Sequence, residues 1–175
     1  GFMVNQDTAM IWRGPMVISA IKTFTTNVLW DNLDYLVIDL PPGTGDALLT
    51  FSQEIQIDGA VVISTPQEVA LADARKGVTM FGMDNIKVPV LGLIENMAWF
   101  TPAELPENKY YIFGRDGVKN LASGMGKPFL GHIPIVQSVR ESGDIGRPAV
   151  FQENTPVSNA FDELVRRFVE ETNKV

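Results

Sequence analysis

The amino-acid sequence predicts an α/β fold: a doubly wound, mostly parallel sheet with helices on both faces. Three observations predict it. Apolar runs rich in β-branched residues recur along the chain and are nearly continuous rather than alternating, the pattern of strands buried on both faces. Helical patterns fall between them, so the order reads α-β-α-β-α-β-α-β-α, which requires right-handed parallel crossovers. The first strand-like run also breaks into a Pro/Gly corner at its carboxyl end, the edge where such sheets bind ligands.

In chain order, a helical pattern over Pro15 to Leu29 precedes a strand over Tyr35 to Asp39. A helix over Ala47 to Ile55 leads to a second strand, Ala60 to Thr65. Thr65-Pro66 then supplies a capping hydroxyl and a first-turn proline for a helix over Glu68 to Phe81, which Gly82 ends. The third strand, Val88 to Ile94, belongs to the longest apolar stretch, interrupted by Pro89, Glu95 and Asn96. Ala98 to Arg115 has neither period and reads as a long excursion from the sheet, a length that is usually functional or disordered. A helix over Asp116 to Met125, a strand over Phe129 to Ile133 and a helix over Val157 to Thr172 complete the order.

The 175 residues suit one ordinary domain, with 45% hydrophobic and 20% charged residues. No apolar run approaches the roughly 18 to 20 residues of a membrane span, and no basic start with an apolar block marks secretion. The expectation is a cytoplasmic protein without a membrane partner. A formal charge of -7 with scattered basic residues argues against a nucleic-acid partner. The chain has no cysteine, so it offers neither disulfides nor thiolate chemistry of its own.

The stretch 34–46, DYLVIDLPPGTGD, carries the chemistry. Asp39 closes the strand, where a carboxylate holds a magnesium ion directly or through water. Pro41 and Pro42 stiffen the exit, and Gly43 and Gly45 let backbone amides approach a phosphate. Ordinary strand-end punctuation would look similar. A dinucleotide fingerprint fails, because Leu48 stands at the third glycine position and Asp58 precedes the next strand instead of ending it. No G-x-x-x-x-G-K-S/T loop occurs in the 175 residues.

The run Trp30 to Asp46 resembles the signature of the Mrp-type ATPases, the cytosolic iron–sulfur carrier branch of the MinD/ParA-like P-loop NTPases with a deviant Walker A loop. The likeness extends to Trp12-Arg13-Gly14-Pro15, Ser64 to Glu68, Asn96-Met97 and Gly131-His132-Ile133-Pro134, covering essentially the whole chain. The resemblance implies ATP and magnesium as cofactors. It gives Asp39 the magnesium shell, places the Gly43 amide, with Pro42 beside it, at the terminal phosphate, and sets Asn96 against the adenine edge with Pro134 closing the base pocket. It also implies a homodimer, slow ATP hydrolysis, and iron–sulfur apoproteins as clients.

Two departures stand beside the matches. Relatives begin with a strand and a lysine-bearing phosphate loop, so the expectation is a single partial nucleotide-binding domain over 1–175, the C-terminal portion with the N-terminal strands missing. Relatives also carry Cys-x-x-Cys after the Asn-Met strand for a bridging 4Fe–4S cluster. Here Glu104 and Glu107 stand at that spacing in a solvated loop, and carboxylates are poor substitutes for thiolates. An alternative is therefore a non-catalytic α/β interaction protein with at most a weak nucleotide pocket. Among single residues, His132 reads as a satisfied core histidine and Asp73, Arg75 and Lys76 as a wet helix face. Met80, Phe81 and Met83 read as gap-fillers in a core or an interface, and Arg13 as either a helix-start residue or a phosphate or partner contact.

Overall fold

The computed structural model describes residues 14–40, 49, 51–53 and 55–175. Trp12, Arg13 and the corner over 41–48, with Pro42 and Gly43, lie outside the described residues. Two compact units divide the chain, Gly1–Gln56 and Ile57–Val175.

In the first unit, helix α1 spans Gly14–Thr26. Its end is rich in threonine, and the Thr23 and Thr26 hydroxyls donate to the Ser19 and Lys22 carbonyls at 2.9 and 2.7 Å. Such bonds compete with the helical ladder, and three residues short of the predicted Leu29 the helix stops. Trp30 folds back, its Nε1 donating to the Phe24 carbonyl at 2.9 Å. The predicted strand over Tyr35 to Asp39 is not formed: residues 31–40 carry neither helix nor strand, and Val37 is 83% exposed. Apolar, β-branched composition supplies propensity, but a strand also needs a neighbour to take its N–H and C=O groups. Residues 49 and 51–53 are helical, within the predicted helix over 47–55.

The second unit holds a three-stranded sheet of β1 (Ala60–Ser64), β2 (Val90–Phe100) and β3 (Phe129–Ile135), in the order β1-β2-β3 with both pairings parallel. Helix α2 (Glu68–Phe81) makes the first crossover and α3 (Gly117–Gly124) the second. Helix α4 (Gln137–Asp144), a short 3-10 turn (Ala149–Phe151) and helix α5 (Pro156–Thr172) complete the unit. Strand side chains alternate between faces. Ile94 packs with Leu130 against Leu164 of α5, forming a core with Val61, Ile133 and Phe168. The next side chain, Glu95, reaches the start of α3 on the other face. Helices thus cover both faces of β2, as the continuous apolar runs predict. Gly92 is required by this packing, since a Cβ there would lie 2.5 Å from Leu130 Cγ.

Helix ends correct two expectations. The N-cap of α2 is Gln67, not Thr65, and it makes no side-chain cap bond. Gly82 follows the last turn as expected but with φ -82, a conformation open to any residue. By contrast, α5 starts with a full capping box, in which Thr155 and Ser158 each accept the other's backbone N–H, and Pro156 opens the helix. No described helix is long and apolar enough to cross a membrane.

Candidate functional site

Parallel strands deliver their carboxyl ends to one edge of a sheet. Here the register pairs Ser64 with Glu95, Glu95 with His132 and Asn96 with Ile133, so Asn96 lies opposite the residue that precedes Pro134 in β3. Pro134 is buried and Asn96 half-buried. The Asn96 Oδ1 accepts the Met97 N–H at 2.9 Å, and among the described residues its carboxamide nitrogen has no acceptor. Met97 adopts a left-handed conformation, φ 55, and the pairing slips between Asn96 and Phe100. That irregularity re-aims the strand end, as bulges beside functional sites do.

Beyond it, β2 continues to Phe100, longer than its apolar run predicts. The excursion that follows is closed at its base by a two-bond antiparallel bridge, Phe100 N to Tyr110 O at 2.9 Å and Tyr110 N to Phe100 O at 2.8 Å. Lys109 places its ammonium 4.0 Å above the Trp99 ring. Glu104 and Glu107 are exposed in the turns between.

Of the predicted site residues, Asn96 and Pro134 lie on the neighbouring strands β2 and β3, where Asn96 pairs with Ile133. Asp39 belongs to the first unit, where its side chain is exposed, and Pro42 and Gly43 lie outside the described residues. His132, read as a satisfied histidine, is one, and its partners are what sequence reasoning missed. Its Nε2 lies 3.3 Å from Asp116 Oδ1 and 3.8 Å from Oε1 of Glu95, which is 1% exposed. The signal was present: a carboxylate inside a buried strand is rare unless paired. Among the described residues, no group of three or more His, Asp or Glu side chains is placed to hold a metal ion.

The wet helix face is confirmed, with Lys76 Nζ 3.0 Å from Asp73 Oδ1 and both exposed. Met80 and Phe81 are buried, whereas Met83 is 47% exposed. Two recesses mark the second unit. One of about 600 Å³ lies between α2 and α3, and one of about 460 Å³ is lined by Ile57, Asp58, Pro89 and Leu91 with the C-terminal residues Thr172 and Val175. Neither is lined by Asn96 or Pro134.

The ParA family described as "NUBPL iron-transfer P-loop NTPase" matches residues 1–169. An iron-sulfur cluster transfer protein NUBPL of Dictyostelium discoideum is 46% identical over 98% of this chain and 52% of its own length. An iron-sulfur cluster carrier protein of Aquifex aeolicus is 48% identical over 95% of this chain and 45% of its own. The chain therefore spans about half the length of the curated relatives it matches. Among solved structures, a nucleotide-binding protein of Archaeoglobus fulgidus in complex with ADP superposes with a TM-score of 0.69 at 39% identity, covering 81% of this chain and 56% of that one. The cell division ATPase MinD of Pyrococcus furiosus, at 19% identity and a TM-score of 0.61 over 90% of this chain and 59% of its own, shares the fold. On this evidence the chain belongs to the ParA family of NUBPL-type iron-transfer P-loop NTPases.

Proposed function

We propose that the chain is the base-binding part of an ATP-binding, slowly hydrolysing iron–sulfur cluster carrier that acts as a homodimer and serves iron–sulfur apoproteins. The observation that supports the nucleotide half is the pairing of Asn96 with Ile133, which brings the residue before Pro134 opposite Asn96 on the neighbouring strand. The carboxamide nitrogen of Asn96 is a donor suited to the acceptor nitrogens of adenine, and guanine presents N1–H where adenine presents an acceptor. The cargo half rests on the relatives' names.

The residues present fit the nucleotide in part. Asn96 and Pro134 would hold the base, and the exposed Asp39 carboxylate would meet magnesium through water. Bound magnesium neutralises charge on the terminal phosphates. Gly43 would present its backbone N–H to the last phosphate, and hydrolysis would proceed by positioning water, with no covalent step on this chain. A cluster fits less well: the 175 residues hold no thiolate, and the exposed oxygens of Glu104 and Glu107 are hard donors. The cluster is therefore cargo whose thiolate ligands these residues do not supply.

The test follows the Asn96 and Met97 amide resonances while ADP is added. Both shift in the wild type and stay still in Asn96→Ala, and an ADP-insensitive wild type refutes the base site. Magnesium-dependent turnover is expected to be absent from the 175-residue chain alone, because the lysines that neutralise phosphate charge are not among its motifs. Turnover by the purified chain would refute that division of labour. A second proposal, an interaction protein with at most a weak nucleotide pocket, is favoured by the lack of a G-x-x-x-x-G-K-S/T loop and of cysteine in the 175 residues. It predicts ADP and GDP affinities that do not differ.

A further inference from the structure

Among the described residues, Glu95 is the buried charged group that the proposed chemistry leaves unused. It neighbours Asn96 on β2 but points to the opposite face, towards α3. Its Oε2 accepts the Val118 N–H at 2.9 Å, so it caps a helix whose own N-cap residue, Asp116, makes no side-chain cap bond. Its Oε1 faces His132 Nε2 at 3.8 Å, and that nitrogen lies 3.3 Å from Asp116 Oδ1. Nε2 is thus the ring nitrogen that faces both carboxyl groups, within hydrogen-bond reach of Asp116 alone. Ring contacts fix the imidazole: Phe129 meets it edge-on at 4.8 Å and Trp99 lies tilted at 5.6 Å.

Two of the four non-glycine residues with positive φ among the described residues border this cluster, Met97 at 55° and Asp116 at 56°. Such backbone persists only where its surroundings over-determine it, and it gathers at sites of function. Met97 follows Asn96 directly and supplies the N–H that Asn96 Oδ1 accepts. Asp116 closes the segment that returns from the 101–109 excursion. The anchored Glu95 side chain thus fixes β2 one residue before Asn96, and through His132 it meets Asp116 at the end of the return from that excursion.

We infer that Glu95 is a positioning residue, which through α3, His132 and Asp116 sets the Asn96 carboxamide for base recognition and ties the base site to the 101–109 excursion. The inference rests on the nucleotide function proposed above. A purely structural role for Glu95 would alter stability without altering which base is preferred.

The experiment compares wild type, Glu95→Ala, Glu95→Gln and His132→Ala in two readouts: the ligand-free amide spectrum and the ratio of ADP to GDP affinity. Glu95→Ala is expected to move the Asn96, Met97 and 117–120 resonances, to leave those of α5 in place, and to lower the ratio about tenfold, the loss of one oriented hydrogen bond. His132→Ala follows it, and Glu95→Gln, which keeps an acceptor for Val118, retains most of the preference. Thr155→Ala, which loses only the α5 cap, leaves the ratio unchanged. Should Glu95→Ala fail to fold, Glu95→Gln and His132→Ala carry the comparison. A ratio unmoved by Glu95→Ala and His132→Ala overturns the inference while nucleotide binding stands. A wild type that binds neither nucleotide overturns the nucleotide function instead. The ligand-free spectra then decide the positioning role, upheld by displaced Asn96 and Met97 amides and overturned by unmoved ones.

Discussion

Adding one methyl group at either of two helical glycines is expected to change stability in opposite directions. A Cβ on Gly117, the first residue of α3, would lie 2.6 Å from the Pro66 carbonyl oxygen, 2.9 Å from Leu71 Cδ1 and 3.0 Å from Pro66 Cα. Two of those three atoms are backbone, so the start of α3 and the turn before α2 must separate by about 0.8 Å or more to restore ordinary contact. Overpacking of that kind costs about 1–3 kcal/mol. Helical Ala over Gly returns about 0.5–1 kcal/mol, leaving Gly117→Ala destabilised by about 1–2 kcal/mol. At Gly77, inside α2, the same Cβ meets nothing within 4 Å, so Gly77→Ala keeps the propensity gain and is stabilised by about 0.5–1 kcal/mol. In thermal unfolding the pair should straddle the wild type, Gly117→Ala lower by about 2–8 °C and Gly77→Ala higher by about 1–4 °C. Urea titration at constant slope supplies the free energies. If Gly117→Ala is as stable as Gly77→Ala, α2 and α3 are not apposed through Pro66, and the geometry at the root of α3 is wrong.

Two further substitutions test the packing and the capping. Leu164→Ala removes the α5 side chain that packs on Ile94 and Leu130, and is expected to cost about 2–4 kcal/mol in urea unfolding; a loss under about 1 kcal/mol would place α5 off this face. Thr155→Ala breaks the reciprocal cap at the start of α5 and is expected to cost about 1 kcal/mol, with Thr155→Ser restoring most of it; equal losses in both variants would rule out the hydroxyl as the cause.

How much of this was legible in the sequence follows from where each signal comes from. The run Glu68–Phe81 was predicted to the residue, because its apolar positions at helical spacing lie within it and Pro66 and Gly82 stand just outside its two ends. The three strands of the second unit were legible for the same local reason. Tyr35 to Asp39 has the same composition but forms no strand, since pairing depends on a neighbour that composition does not reveal. Helix α4 was missed for the converse reason. Only Ser142 is buried in it, and its support comes from exposed pairs such as Arg140 Nη1 with Asp144 Oδ2 at 2.7 Å. At the site, the motifs named Asn96 and Pro134, but the cluster around His132 joins residues up to 37 positions apart, from Glu95 to His132 (132 − 95), and no local pattern links them.

The same cluster separates position from stability. Taking a carboxylate out of water costs several kcal/mol, and here the return is about 1.5–3 kcal/mol from a charge-assisted bond to Val118 N–H, with about 0.5–2 kcal/mol from the helix dipole. These terms nearly cancel, so Glu95 adds little net stability. An apolar side chain of similar volume at such a site is often neutral. Glu95→Met is therefore expected to fold within about 1 kcal/mol of wild type, because the desolvation it relieves offsets the unmet Val118 N–H. Glu95→Ala leaves that N–H unmet and opens a cavity as well, and should lose about 2–4 kcal/mol. Glu95→Met, although stable, should show displaced Asn96 and Met97 resonances and a weakened preference for ADP over GDP, because methionine gives neither Val118 nor His132 an acceptor. If Glu95→Met loses as much stability as Glu95→Ala, the carboxylate holds the fold rather than the site. If it keeps both the stability and the wild-type resonances, Asn96 is set by the left-handed turn at Met97 alone.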